Sequence, residues 1–230
     1  MMHTYRIIPR VFGVLTGLAL LGSLLVSPGR AAAQGGVGQC TVNPGVALLW
    51  DMTHSVFAGV PFVPPELPLP GDNWVLYQHP AWPLLTFLHP PDWRPINITD
   101  VHTVGVDLIR EDGTAVWQYL GAPSQGHTAR EWVEASLRAV FDLAPQAPLE
   151  VLCESELPAV GVLQNTSVLV VSVEPYLAFA LAATVSDGLT NSVFYRAFIG
   201  PAPEFTTLTD EVFLPIEWQL LICPPESPGC

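Results

Sequence analysis

The sequence predicts an α+β fold, and three observations carry that prediction. Residues 104–110 (VGVDLIR) and 115–120 (AVWQYL) flank Glu111-Asp112-Gly113, a strand–turn–strand pattern in which glycine accepts the positive φ of a tight turn. Residues 128–141 (TAREWVEASLRAVF) place Ala129, Trp132, Val133, Leu137, Val140 and Phe141 on one face of a helix. Residues 149–153, 167–173, 177–185 and 192–199 are strand-length runs dominated by valine and alanine. One amphipathic helix among strands needs a sheet to cover.

In chain order, residues 1–33 read as a secretory signal peptide. Arg6 and Arg10 precede the apolar run 11–26, and Ala31-Ala32-Ala33 supplies the small-residue cleavage site. Residues 34–73 form a glycine- and proline-rich segment, expected to lie extended on the domain. Within it residues 60–72 (VPFVPPELPLPGD) carry five prolines, which removes helix and central strand from consideration. The domain itself spans 74–222. Short strands are expected at 74–78 and 84–89, ahead of the hairpin. Thr128 and Glu131 form a capping box, Glu134 stands four residues before Arg138, and Pro145 stops the helix. The join at 186–191 has turn chemistry. Residues 209–221 (TDEVFLPIEWQLL) begin like a helix but contain Pro215, so a kinked helix competes there with a strand. The tail 223–230 is proline-rich and bounded by Cys223 and Cys230.

The phrase FLHPPDW before the hairpin, with TAREWVEASL as the helix, resembles the PsbP-like family, whose domain opens on an aromatic–proline–tryptophan phrase matched here by Phe87, Pro90 or Pro91, and Trp93. The resemblance spans about 74–222 and rests on element order. It implies an α/β sandwich: a central antiparallel sheet covered by one or two helices. That family includes extrinsic subunits of photosystem assemblies and exported bacterial proteins, is mostly non-enzymatic, and has no catalytic motif to carry over. This chain departs from the pattern in its proline-rich N-terminal segment and its cysteines.

Charge narrows the partners. All eight basic residues are arginine. Three precede residue 34, which leaves five against 21 acids, a net of −16 after signal cleavage. Nucleic acid and anionic membrane would repel such a chain. No later segment suits membrane insertion, because Glu174-Pro175 interrupts the most apolar stretch. The expected location is therefore secreted or extracytoplasmic. Four cysteines (Cys40, Cys153, Cys223, Cys230) suit two disulfides in an exported protein, with three pairings open. A bond from Cys40 to the domain would tie down the glycine-rich leader. No C-x-x-C spacing supports zinc.

Catalytic signatures are sparse. The nucleophile elbow G-x-S-x-G is absent. His79, His89, Asp92, Asp100, His102 and Asp107 are ligand types for a metal, but none of the usual metal-site spacings occurs, and no metal or other cofactor is assigned. A glycosidase needs two facing carboxylates, which 21 acids do not single out. Asn97-Ile-Thr and Asn165-Thr-Ser match the glycosylation acceptor pattern. Trp50, Trp74, Trp82 and Trp93 lie in the loop-rich N-terminal part, where they either stack under the prolines or form a binding surface. Trp117 and Trp132 read as core. The repeated phrase His79-Pro-Ala-Trp82 and His89-Pro-Pro-Asp-Trp93 reads as two strand stops. Its candidate ligand-binding residues are Trp82, Trp93, His89 and Asp92. The functional expectation is an exported, non-enzymatic binding or accessory protein for a protein or polysaccharide partner. The alternatives are a carbohydrate-binding module using exposed tryptophans, or an extracytoplasmic hydrolase with an acidic or metal site.

Overall fold

The structure, a computed structural model, describes residues 40–58, 60, 62–64, 66, 68–157, 159, 163–186 and 191–222. The signal-peptide reading, most of the 186–191 turn, and Cys223 and Cys230 lie outside the described residues. Helix α1 (Pro44–Ala58) leads to a two-stranded hairpin, β1 (Val75–His79) with β2 (Trp82–His89). Then come β3 (Trp93–Thr99), β4 (Val104–Arg110), β5 (Val116–Pro123), helix α2 (Ala129–Val140), and β6 (Glu150–Leu157), β7 (Leu163–Val173), β8 (Tyr176–Ser186) and β9 (Asn191–Pro201). The chain ends in α3 (Phe205–Leu208), a π-helical turn (Thr209–Phe213) and α4 (Leu214–Ile222). Strands β3 to β9 form one antiparallel sheet in the order β3-β4-β5-β9-β8-β7-β6.

The sheet is covered on both faces. Strand β8 shows why in its own sequence. Leu177, Phe179 and Leu181 point to one face, and Ala178, Ala180 and Ala182 to the other. The alanine face lets α2 approach closely, bringing Val133 and Leu137 onto it. The large-residue face packs beneath α1, the β1–β2 hairpin and the C-terminal helices, where Trp117, Phe198, Phe205 and Phe213 are buried.

The expected hairpin forms, with Gly113 at φ +73°. The α2 capping box is complete: Thr128 accepts from the Glu131 amide, and the Glu131 carboxylate accepts from Thr128. Arg130 and Arg138 both bind Glu134.

Three expectations need correction. Residues 34–73 are not extended throughout, because 44–58 is helix. Its proline falls at the first helical position, where the missing N–H costs nothing, and Asn43 accepts from the Val46 amide through its side chain. Strand β3 is not anticipated by sequence pattern because Pro95 interrupts it. It is an edge strand, the place in a sheet where proline is tolerated. The last helical region begins at Phe205, not Thr209. Thr209 is no cap: its hydroxyl donates back to the Phe205 carbonyl at 2.8 Å. The π turn then resets the helix at Leu214, so Pro215 falls in the first turn of α4 without breaking it.

Cys40 and Cys153 form a disulfide that links the start of the described chain to β6. His54 of α1 reinforces the same seam. Its Nδ1 donates to the Trp50 carbonyl at 2.7 Å, and its Nε2 lies 3.1 Å from the Ser155 hydroxyl on β6. Because the bond closes a loop of 113 residues, replacing both partners (Cys40→Ser with Cys153→Ser) should lower stability by roughly 3–5 kcal/mol. Urea unfolding of the oxidised wild type and of the variant measures this; equal midpoints would show that the bond tethers nothing.

Candidate functional site

The proline-rich segment and the C-terminal helices leave a groove of about 850 Å³ between them. One wall is Pro64, Glu66, Pro68 and Leu69. The opposite wall comes from Leu208 and the π turn, which presents Asp210, Glu211 and Val212. A π turn adds a residue to the helical circuit and re-aims its neighbours, as such turns often do at functional sites. Trp74 and Trp93 close the groove between the walls. Trp74 lies against Gly71, where a Cβ would come within 2.8 Å of the indole Nε1, so this packing requires glycine. Trp93 is buried and packs edge-on to Phe213, with ring centroids 6.1 Å apart.

The groove is acidic at its rim and apolar within. Glu66, Asp92, Asp210 and Glu211 line it, against Arg110 alone. Arg110 is already engaged, by Asp112 at 3.0 Å and Glu204 at 2.8 Å. Partial burial pushes the Asp210 carboxyl above its ordinary range, and the like charges of Glu211 and Glu66 push it further. The turn that carries Asp92 is fixed to the hairpin, because the Asp92 carbonyl accepts from the Glu111 amide at 2.9 Å.

The structure divides the residues singled out from sequence. Asp92 and Trp93 meet in the groove. His89 does not join them: it is buried under the hairpin and donates from Nδ1 to the Pro90 carbonyl at 2.8 Å. No hydrogen bond links His89 to Asp92. Trp82 lies apart, half-buried on Tyr119. The repeated His-Pro phrase marks the ends of two strands, β1 and β2, and each tryptophan opens the next strand, Trp82 in β2 and Trp93 in β3. His79 is fully buried, its Nδ1 accepting from the Ala81 and Trp82 amides. Among the described residues, no three His, Cys, Asp or Glu side chains are gathered as a metal requires. Trp50 and Trp93 are buried, and Trp74 and Trp82 half-buried. Asn97 accepts from the Tyr77 hydroxyl and Asn165 from the Ala129 amide, so both acceptor-pattern asparagines hold structural bonds.

Sequence reasoning missed Glu66, Trp74, Asp210 and Glu211 as one constellation. Residues 66 and 210 lie far apart in the chain, and Asp210-Glu211 reads locally as a helix start. The usable signal was the conflict at Pro215, which marks the irregular helix that carries them. No protein-family model matches this chain, and no curated protein sequence matches it.

A second perturbed carboxyl lies on the opposite, α2-facing side of the sheet. Burial pushes Asp107 up to about 6, and a hydrogen bond from Gln118 at 2.9 Å only partly opposes this. The Tyr195 hydroxyl nearby is buried without a hydrogen-bond partner. Since the folded state holds this proton more tightly than the unfolded chain does, ionised Asp107 destabilises the fold above about pH 6, and the cost disappears as pH falls towards 4. Asp107→Asn should therefore stabilise the protein by roughly 1–2 kcal/mol at pH 7.5 and have little effect at pH 4. Thermal unfolding at the two pH values checks this; the same gain at both would rule out ionisation as the cause.

Proposed function

We propose that this is an exported, non-enzymatic binding or accessory protein that docks a partner in the groove between the proline-rich segment and the π turn. The observation that carries the reading is the groove's composition. Prolines, leucines and the half-buried Trp74 indole, backed by the buried Trp93, make an apolar lining of the kind usual in recognition sites, and Leu69 on its wall is 66% exposed. An isolated exposed leucine is ordinary, whereas one continuous with an apolar groove marks a contact surface. The Cys40–Cys153 bond fits an extracytoplasmic location. Among the described residues no helix is long and apolar enough to cross a membrane. The order of strands, hairpin, helix, strands and terminal helix supports an α/β sandwich of the PsbP-like kind.

One observation favours a second reading, as a hydrolase. Asp210, raised by burial and by Glu211 and Glu66, stands among other carboxylates as a general acid does. A photo-crosslinking amino acid in place of Leu69 separates the two readings. Docking predicts a discrete adduct with a protein of the same compartment, absent when the group replaces Val101 on a distant loop, and no release of nitrophenol from nitrophenyl glycosides. Turnover that disappears in Asp210→Asn would establish the hydrolase instead, and equal labelling from both positions would overturn docking.

A further inference from the structure

We infer that the occupant of this groove is an extended peptide segment of a partner protein in which arginine or lysine alternates with apolar residues. The inference rests on the docking reading above and adds the chemistry of the ligand.

Charge complementarity selects the cation. Four carboxylates from three separate parts of the chain, Glu66, Asp92 and the Asp210-Glu211 pair, converge on one groove. Its single arginine is neutralised by Asp112 and Glu204. An anionic or neutral occupant would leave these carboxylates crowded and uncompensated, whereas a guanidinium or ammonium group relieves them. The apolar floor selects against a small free cation. A polyamine would satisfy the rim but leave Leu69 and the half-buried Trp74 indole in contact with water. An extended peptide sends alternate side chains to opposite sides, so basic residues reach the rim while apolar ones face the floor.

A second copy of the chain is a poor occupant. The protein has no lysine and a formal net charge of −13. Among the described residues its arginines are Arg94, Arg110, Arg130, Arg138 and Arg196, and all but Arg94 are committed to ion pairs. Two copies therefore bring acid against acid.

Fluorescence anisotropy on the disulfide-bonded full chain tests the inference with three labelled peptides of about twelve residues: an alternating Arg-Leu repeat, whose arginines all fall on one side of an extended chain, and the same repeat with glutamine or glutamate in place of arginine. The arginine peptide should bind, the glutamine peptide about tenfold or more weakly, and the glutamate peptide not at all. Raising salt from about 50 to 500 mM should weaken the arginine peptide about tenfold. The variant Glu66→Gln/Asp210→Asn/Glu211→Gln should drop the arginine peptide to the glutamine level at an unchanged melting temperature, and Glu211→Lys should gain binding to the glutamate peptide. Equal binding of the arginine and glutamine peptides, or full retention by the triple variant, would overturn the inference. A chain that forms the Leu69 adduct yet ignores all three peptides would overturn the cationic class and leave docking standing, whereas loss of that adduct removes the docking reading itself.

Discussion

Glu217 is a carboxylate with 1% exposure in an apolar layer, and it sets the position of much that lies above the sheet. A buried charge of this kind is tolerated only when paired and hydrogen-bonded. Both conditions are met from the sheet below. Arg196 of β9 pairs with one carboxylate oxygen, and the Trp117 indole of β5 donates to the other at 3.0 Å. Arg196 in turn sits 5.0 Å from the centre of the Tyr119 ring. Apolar packing would allow α4 to slide by a residue. A single acid that must meet two donors on different strands does not. Two residues on, Gln219 accepts from the Leu88 amide at 2.7 Å and donates to the Leu88 carbonyl at 3.1 Å, so α4 grips β2 as if it were a neighbouring strand. This contact ties the hairpin to α4 just before the His89-Pro90 turn.

The groove is a consequence of that placement. One wall is an irregular helix held from below by Glu217. The other is a proline-rich segment, which offers few backbone donors and cannot extend a sheet. Between them, Trp93 is fixed by Phe213 and by the turn bonded to Glu111. The disulfide performs a related task at the other end of the same face. It keeps α1, which supplies Leu48 to the groove, on the sheet.

Much of the fold was legible because its signals are local. The capping box of α2, the Asp-Gly turn between β4 and β5, and the valine- and alanine-rich run that becomes β8 each lie within a short span, and each forms the element its pattern indicates. Where the reading went astray, a proline was involved each time. Pro44 begins a helix, Pro95 sits in an edge strand, and Pro215 falls in a first helical turn. Proline excludes the interiors of helices and sheets but permits their starts and edges, and a position is an edge only with respect to the rest of the fold. The candidate site was half visible. Asp92 and Trp93 stood out through a repeated phrase, while their companions Glu66 and Asp210 carry no local mark.

The sequence by itself determined the class of fold, the covering helix and its cap, the hairpin, the acidity, and the inability to supply lysine to any interface. These follow from residue type and spacing over a few positions, where propensity and periodicity act directly. Tertiary structure alone decided that Cys40 pairs with Cys153, that His89 turns inward while Asp92 turns outward, that Glu217 meets Arg196, and that four distant carboxylates share one groove. Each of those outcomes depends on which surfaces are buried against which. Burial is a property of the packed layers, so neighbours along the chain do not reveal it.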